Sequence, residues 1–220
     1  MKTTLKKVPP LVLWLLLATS GGCMDAYSYL FRDQVFANAQ TGNILLLGVN
    51  LSTGNFLVCS RYLCPILAFV LGIVVAYLIC RLSGVHARTA KLLVVGGEIA
   101  VLFAVAFMPQ QLNVIANAMI SLACGMQLEG FSEFMGKRAA TTMCIGNLRS
   151  AVHHAMDYFF GHDKTQYKNA AFFIVTILFF TLGAVVGNVF VRYLGTYAIW
   201  GSCMILSVCM LLTCFSYEQD

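Results

Sequence analysis

The sequence predicts an all-α integral membrane protein with about six transmembrane helices and two shorter helices. Of its 220 residues, 60% are hydrophobic and 10% are charged, whereas soluble domains carry about 25% charged residues. The mean hydropathy is +0.81. Long apolar runs separate the charged residues, as a hydrocarbon core about 30 Å thick requires of a spanning helix. We therefore expect one integral membrane domain over residues 1–220, with the lipid bilayer as its main partner.

The apolar runs account for six spans when they are taken in chain order. They cover residues 11–24, 62–80, 92–108, 112–128 and 169–217. The run 92–108 is interrupted only by Glu98, which we expect to pair across the bundle. The last run is 49 residues long, about twice what one span needs, so we predict two spans joined by a short turn near Gly195.

The sequence carries no motif for a known cofactor or reaction. It has no glycine-rich phosphate loop, nucleophile elbow or metalloprotease helix motif, which argues against ATP-driven transport and weakens an enzymatic role. Nearly all of the nine cysteines lie inside apolar spans, without paired metal-ligand spacing. We expect no cofactor. The net charge of +5 lies mostly beside the membrane and indicates orientation rather than nucleic-acid binding.

An internal repeat aligns the two halves of the chain, about residues 8–110 and 111–217. At an offset of 104 residues, an acid and a Gly-Asn pair recur at the same separation. The matched residues are Asp25 with Glu129, Ser28 with Ser132, Gly42 with Gly146 and Asn43 with Asn147. A second block, at an offset of 111, matches residues 71–76 and Arg81 with residues 182–187 and Arg192.

Each half also contains a short segment, residues 40–51 in the first half and 144–160 in the second. The apolar part of the first is about eight residues, far below the ~20 needed to cross a bilayer. If both segments crossed, the cytoplasmic side would hold six Lys or Arg residues against seven outside; if both are re-entrant, it holds ten against three. The positive-inside rule favours re-entrant half-helices, with both termini cytoplasmic. Three crossings per half then make an inverted 3+3 repeat.

Residues 22–30 (GCMDAYSYL), 36–44 (FANAQTGNI) and 69–72 (FVLG) resemble the YoaK family of bacterial membrane proteins. The resemblance runs nearly from end to end. It implies a six-span protein of the bacterial cytoplasmic membrane whose function is unknown, and it implies no substrate.

The candidate pathway residues lie at the two breaks before the short segments. A carboxylate at membrane depth needs a partner or water, so Asp25 and Glu129 are expected to line a shared cavity, to cap the amides of their own short helices, or both. The glycines permit a tight turn, and the asparagines can bond to freed backbone groups or to a solute. The predicted set is Asp25, Gln40, Thr41, Gly42, Asn43, Glu129, Ser132, Gly146, Asn147 and Arg149.

The second short segment contains an arginine and a pair of histidines, and the sequence allows more than one role for each. Arg149 is the only Lys or Arg in either short segment, and it is expected either to pair with Glu129 or Glu133 or to meet an anionic substrate. A helix would place His153, His154 and Asp157 on one face. Such a trio could bind a metal, but we favour interfacial hydrogen bonding and predict no metal site.

The sequence favours a secondary transporter or channel for a small polar or anionic solute, because two helix starts facing each other at the midplane attract such guests. Two other functions stay open. One is a membrane-embedded enzyme acting on a lipid-borne substrate through the histidine cluster, and the other is a scaffold or sensor without a pathway. A homo-oligomer is compatible with the sequence.

Overall fold

The computed structural model describes residues 10–82, 87–134 and 137–216. Within these ranges the chain is helical, which confirms the predicted all-α class. The α-helices are α1 (Pro10–Phe31), α2 (Gln40–Ser52), α3 (Phe56–Leu82), α4 (Ala87–Val105), α5 (Asn113–Gly130), α6 (Cys144–Gly161), α7 (Lys164–Leu194) and α8 (Trp200–Ser216). Short 3-10 turns, Gln110–Leu112 and Gly195–Ile199, precede α5 and α8. A minimal antiparallel pair joins β1 (Glu133–Phe134) to β2 (Lys137–Arg138).

Three stretches of the described residues are long and apolar enough to cross a membrane: Pro10–Phe31, Phe56–Arg81 and Lys164–Cys214. The chain therefore has the helices of a membrane protein. The third stretch contains both α7 and α8, and it bends at Gly195, where the backbone φ is +54°. A positive φ is a conformation that glycine adopts readily, so the predicted turn at this residue is confirmed.

The two short segments are helices whose bounds match the predicted ones to within a residue. Helix α2 has 13 residues and, at 1.5 Å per residue, is about 20 Å long, which is too short to cross a hydrocarbon core of about 30 Å. It turns back onto α3 through Gly54, at a φ of +74°. Helix α6 has 18 residues and turns back onto α7 at His162, which is left-handed.

The two main helix pairs have matching positions in the two halves of the chain: α1 packs along α7, and α5, the counterpart of α1, packs along α3. At four glycines an added Cβ would lie between 1.9 and 2.2 Å from a backbone carbonyl oxygen of the partner helix. These are Gly22 and Gly183 between α1 and α7, and Gly72 and Gly125 between α3 and α5. Small residues thus let the backbones touch. Gly21, next to Gly22, instead faces the side chain of Thr142.

The first helices of the two halves run in opposite directions. Asn113 and Asn117, at the start of α5, bond to Arg32, which follows the end of α1. Near the other ends, the Gln127 side-chain amide donates to the carbonyl oxygen of Leu17 over 3.2 Å. Helix α1 and its counterpart α5 are therefore antiparallel.

The two ends of the bundle differ in charge. One end, here called the basic end, holds the end of α3 and the starts of α4 and α7. Its cations include Arg81, Arg88, Lys91, Lys164 and Lys168. A bond from the Arg88 side chain to the Cys214 carbonyl joins the end of α8 to it. The opposite end, the Arg32 end, contains the end of α1, the α4–α5 connection and the turn before α8.

Candidate functional site

The first break in the bundle is the segment between α1 and α2. It leaves the Arg32 end and returns to the middle of α1, where the Asn38 side-chain amide donates to the Gly21 carbonyl oxygen over 2.8 Å. The Asn38 backbone amide donates to Asp25 Oδ1 over 2.9 Å. From α5, the Ser121 hydroxyl donates to the carbonyl oxygen of Ala37 over 2.8 Å. The segment therefore enters the bundle and goes back, through α2, toward the end it came from.

The second break, between β2 and α6, enters from the basic end and reaches the same place. The Gln127 amide donates to Thr141 Oγ1 over 2.7 Å, and the Cys124 thiol lies 3.7 Å from Thr142 Oγ1. A Cβ at Gly21 would lie 2.8 Å from the methyl carbon of Thr142. Both breaks thus converge on Gly21, inside the helix bundle.

Asn43 and Asn147 hold their breaks with the same bond. The Asn43 side-chain amide donates to the carbonyl oxygen of Phe36 over 2.7 Å, and that of Asn147 donates to the carbonyl oxygen of Ala140 over 2.7 Å. Each acceptor lies seven residues before its asparagine. Both asparagines are buried, so each one satisfies a backbone group that the break leaves free. Gln40 adds a bond, because its side-chain oxygen accepts from Asn43 over 2.9 Å.

The two glycines beside these asparagines do not form the tight turns that the sequence suggested. Gly42 and Gly146 lie in the first turns of α2 and α6, and neither has a positive φ. Gly42 packs near the Phe36 ring, at 3.4 Å from an added Cβ, whereas Gly146 has open space around it. The chain direction changes earlier, at the residues that precede each helix.

A cavity of about 600 Å³ opens beside the second break, near the basic end. Its lining includes four of the predicted pathway residues, which are Glu129, Ser132, Gly146 and Asn147. The other described lining residues are Leu128, Glu133, Ala139, Ala140, Met143 and Ser150. The cavity therefore reaches from the end of α5 to the first turn of α6.

The two predicted acids are not in equivalent places. Gly22 and Gly125 make matched contacts with α7 and α3, and they lie 103 residues apart. The asparagines of the two breaks, in contrast, lie 104 residues apart. By the helix contacts, Leu128 and not Glu129 corresponds to Asp25. Asp25 bonds to the first break, while Glu129 lines the cavity near the basic end.

The remaining predicted pathway residues lie away from the place where both breaks meet at Gly21. Thr41 and Arg149 are exposed, and within the described ranges no ion pair joins Arg149 to Glu129 or Glu133. The expected pairing of the Arg149 guanidinium with Glu129 or Glu133 is therefore not seen among the described residues.

The histidine cluster is also dispersed. His153 and Asp157 are exposed. The ring of His154 stacks on Phe173 at 5.7 Å between centroids, and its Nδ1 lies 2.6 Å from Gln166 Oε1. Among the described residues, no three His, Cys, Asp or Glu side chains are placed to share a metal ion. Within the cluster, it is therefore His154 that joins α6 to α7.

Arg32 is the main feature that the sequence did not reveal. It lies in a polar stretch between two apolar runs of the sequence, yet its side chain is 0% exposed. The guanidinium donates to Tyr27 Oη and Asn113 Oδ1, each over 3.0 Å, and to the carbonyl oxygens of Val105 and Met108 over 3.1 and 2.9 Å. It thus ties the end of α1 to the α4–α5 connection.

Other missed residues support the breaks. They are Asn38, Ser121, Gln127, Thr141 and Thr142. Polar residues inside an apolar run were the available signal for Ser121 and Gln127, because such residues need partners at membrane depth.

The fold and the site define a helical membrane protein with two broken segments in its interior. The chain matches the family described as "Protein of unknown function (DUF1275)" over residues 13–212, and it belongs to that family. The expected membership of an uncharacterised family is therefore confirmed, in agreement with the resemblance to the YoaK family. No curated protein and no solved structure matches the chain.

Proposed function

We propose that this protein is a small transporter or channel with six crossings, built as an inverted repeat and placed in a bacterial cytoplasmic membrane. The opposite directions of α1 and α5 support the inverted arrangement, as do the matching bonds of Asn43 and Asn147. Arg81, Arg88, Lys91, Lys164 and Lys168 are among the cations at the basic end, which the positive-inside rule puts in the cytoplasm together with both termini.

The observation that carries the proposal is the meeting of both breaks at Gly21. Non-helical backbone at membrane depth is tolerated where protein buries it or where it lines a pathway. Three amide side chains there keep a buried oxygen without a hydrogen-bond partner among the described residues: Asn38 Oδ1, Asn43 Oδ1 and Gln127 Oε1. Broken helices with free polar groups are where many transporters bind their solutes.

The chemistry of the site favours a solute that donates hydrogen bonds. The three unpartnered atoms are acceptors, and the described charged residues that bond to the first break or line the cavity are the acids Asp25, Glu129 and Glu133. Arg149, which supported an anionic guest, is exposed on α6. A small neutral or cationic polar solute therefore suits this pathway better than an anion.

Swelling of liposomes tests the pathway with a panel of solutes rather than with one chosen solute. Gly146→Cys places a thiol in the cavity, where an added side chain has room, and Gly48→Cys gives a matched control in α2, where the space is also open. Both are made without the native cysteines and labelled with a bulky maleimide before reconstitution. We expect at least one solute among polyols, amino acids and amines to swell the liposomes, with the label blocking it at 146 and not at 48.

Asp25→Asn separates two roles of this acid. Asparagine keeps an oxygen that can accept from the Asn38 amide but cannot ionise, so the variant should fold normally while losing any pH dependence of uptake. If no solute in the panel, anions included, enters faster than into empty liposomes, the transport function is wrong. Loss of stability alone in Asp25→Asn would assign this acid to support of the break.

A further inference from the structure

Glu98, on α4, is an acid that the proposed pathway does not use. Its side chain is 0% exposed, and neither carboxyl oxygen has a hydrogen-bond partner among the described residues. The sequence suggested that it pairs across the bundle, and the structure shows no such pair among those residues. An ionised carboxylate without a donor or a cation is very unfavourable in this setting.

The titratable groups described near Glu98 on the neighbouring helices are thiols. The carboxyl is close enough to Cys124 on α5, and to Cys203 and Cys209 on α8, for its charge to act on them. Asp25, on α1, also acts on the Cys124 thiol. These neighbours offer neither a positive charge nor a strong donor to an ionised carboxylate.

The cations of α4 itself are too distant to help. Lys91 lies seven residues earlier in the helix, about 10 Å along its axis, and its ammonium sits 5.7 Å from the centroid of the Phe131 ring. Arg88 lies nearer still to the basic end, where it bonds to the Cys214 carbonyl. No described cation therefore compensates a charge on Glu98.

We propose that Glu98 is a proton-binding site inside the bundle, which holds its proton in this conformation and exchanges it with water from the basic end. As a neutral acid, Glu98 needs no counter-ion and fits its surroundings. Coupling of this proton to solute movement rests on the proposed transport function. The proton-binding site itself does not.

A metal cation fits the same position less well. Hard cations such as Na⁺ and Ca²⁺ take several oxygen ligands, whereas the titratable groups described near Glu98 on the neighbouring helices are thiols. A proton needs only the one carboxyl group. The chemistry of the neighbours therefore assigns the site to a proton.

The closely packed interface of α4 and α5 separates Glu98 from the cavity at the basic end. A Cβ at Gly130 would lie 2.8 Å from Val94 Cγ1, and one at Gly97 would lie 2.9 Å from Met126 Cε. Both contacts lie in the interface of α4 and α5. The first is at the end of α5, and the second is at Gly97, the residue next to Glu98. Met126 is flexible, so a change of its rotamer would open the interface beside Glu98.

Infrared spectroscopy of the purified protein tests whether Glu98 holds a proton. We expect the wild-type protein to show a carboxylic-acid carbonyl band at neutral pH that shifts in heavy water. Glu98→Gln, which keeps the shape of the side chain, should lose this band, and the control Glu129→Gln should keep it. If the difference between wild type and Glu98→Gln contains only bands of an ionised carboxylate, the proposal is overturned.

A carbodiimide label gives a second measurement that needs no variant. Dicyclohexylcarbodiimide is apolar and reacts with protonated carboxyl groups, leaving a stable N-acylurea whose position peptide mapping can find. We expect the adduct on Glu98, with a labelling rate that falls as pH rises. An adduct on Asp25 instead, or no adduct on Glu98, would contradict exchange at this site. The transport proposal would fail separately, through the absence of liposome swelling.

Discussion

Replacing Asn43 by leucine should destabilise the protein, because Asn43 satisfies buried polar groups at the first break. The Asn43 amide bonds to the Phe36 carbonyl and to Gln40 Oε1, so leucine would strand two acceptors at a fully buried position. Loss of a neutral hydrogen bond costs about 1 kcal/mol, and an orphaned buried acceptor costs about 1–3 kcal/mol. Because Asn43 Oδ1 has no described partner, its removal offsets part of this. We expect a net loss of about 2–3 kcal/mol.

Asn50 provides a matched control in the same helix. Its side-chain amide donates to the carbonyl oxygen of Leu46, four residues earlier, over 2.8 Å. That carbonyl is already the acceptor of a helical backbone bond. Asn50→Leu therefore orphans no backbone group, and we expect it to cost about 0.5 kcal/mol.

The repeat extends this prediction to Asn147. Asn147→Leu strands the Ala140 carbonyl and also loses a weak bond of 3.5 Å from the Ala140 amide. Its cost should be similar to that of Asn43→Leu, about 2–3 kcal/mol. Titration of each purified variant with sodium dodecyl sulfate in mixed micelles gives the free energy of unfolding. If Asn43→Leu and Asn147→Leu unfold at the same detergent fraction as Asn50→Leu, the account of the two breaks is refuted.

Three further predictions concern packing, sidedness and metal binding. Gly22→Ala should prevent close packing of α1 on α7, because its Cβ would lie 1.9 Å from a backbone oxygen of α7. The control Gly48→Ala meets nothing within 4 Å and should stabilise α2 by about 0.5–1 kcal/mol. Thermal unfolding of the two variants measures this difference. A single cysteine at position 86, outside the described residues, should be labelled from the cytoplasm, and labelling only from outside would refute the topology. Exchange of His153 and His154 for Gln should leave the metal content, measured by elemental analysis, unchanged.

The bounds of the short helices could be predicted because the signals for them are local. An apolar stretch too short for the bilayer, which opens with Gly-Asn, is visible in residues 40–51, and the repeat marks its counterpart at 144–160. The turn at Gly195 is local too, since one glycine in a long apolar run supplies the positive φ that the turn needs.

The partners of Arg32 and Glu98 could not be predicted, because they lie on distant parts of the chain. Arg32 looks like a loop cation in the sequence, and its acceptors come from residues more than 70 positions away as well as from Tyr27. For Glu98, a partner was expected because charges at membrane depth usually have one. Only the packing of α4 against α5 and α8 brings the thiols of Cys124 and Cys209 near it.

The pairing of Asp25 with Glu129 differs by one residue from the correspondence of the helices in the structure. The sequence alignment applied one offset, 104 residues, both to the helices and to the breaks that follow them. Helices α1 and α5 correspond at 103 residues, through Gly22 and Gly125. The breaks correspond at 104, through their asparagines. One residue on a helix rotates a side chain by about 100°, which is enough to direct an acid into a different environment.

Mutual support between the halves explains how two breaks can persist inside an apolar bundle. The first break receives the Ser121 hydroxyl from the second half. The second break packs Thr142 against Gly21 of the first half. The main helix pairs also cross the halves, since α1 packs on α7 and α5 on α3. Each half therefore depends on the other for part of the support of its break, so the two halves are expected to fold together as one unit.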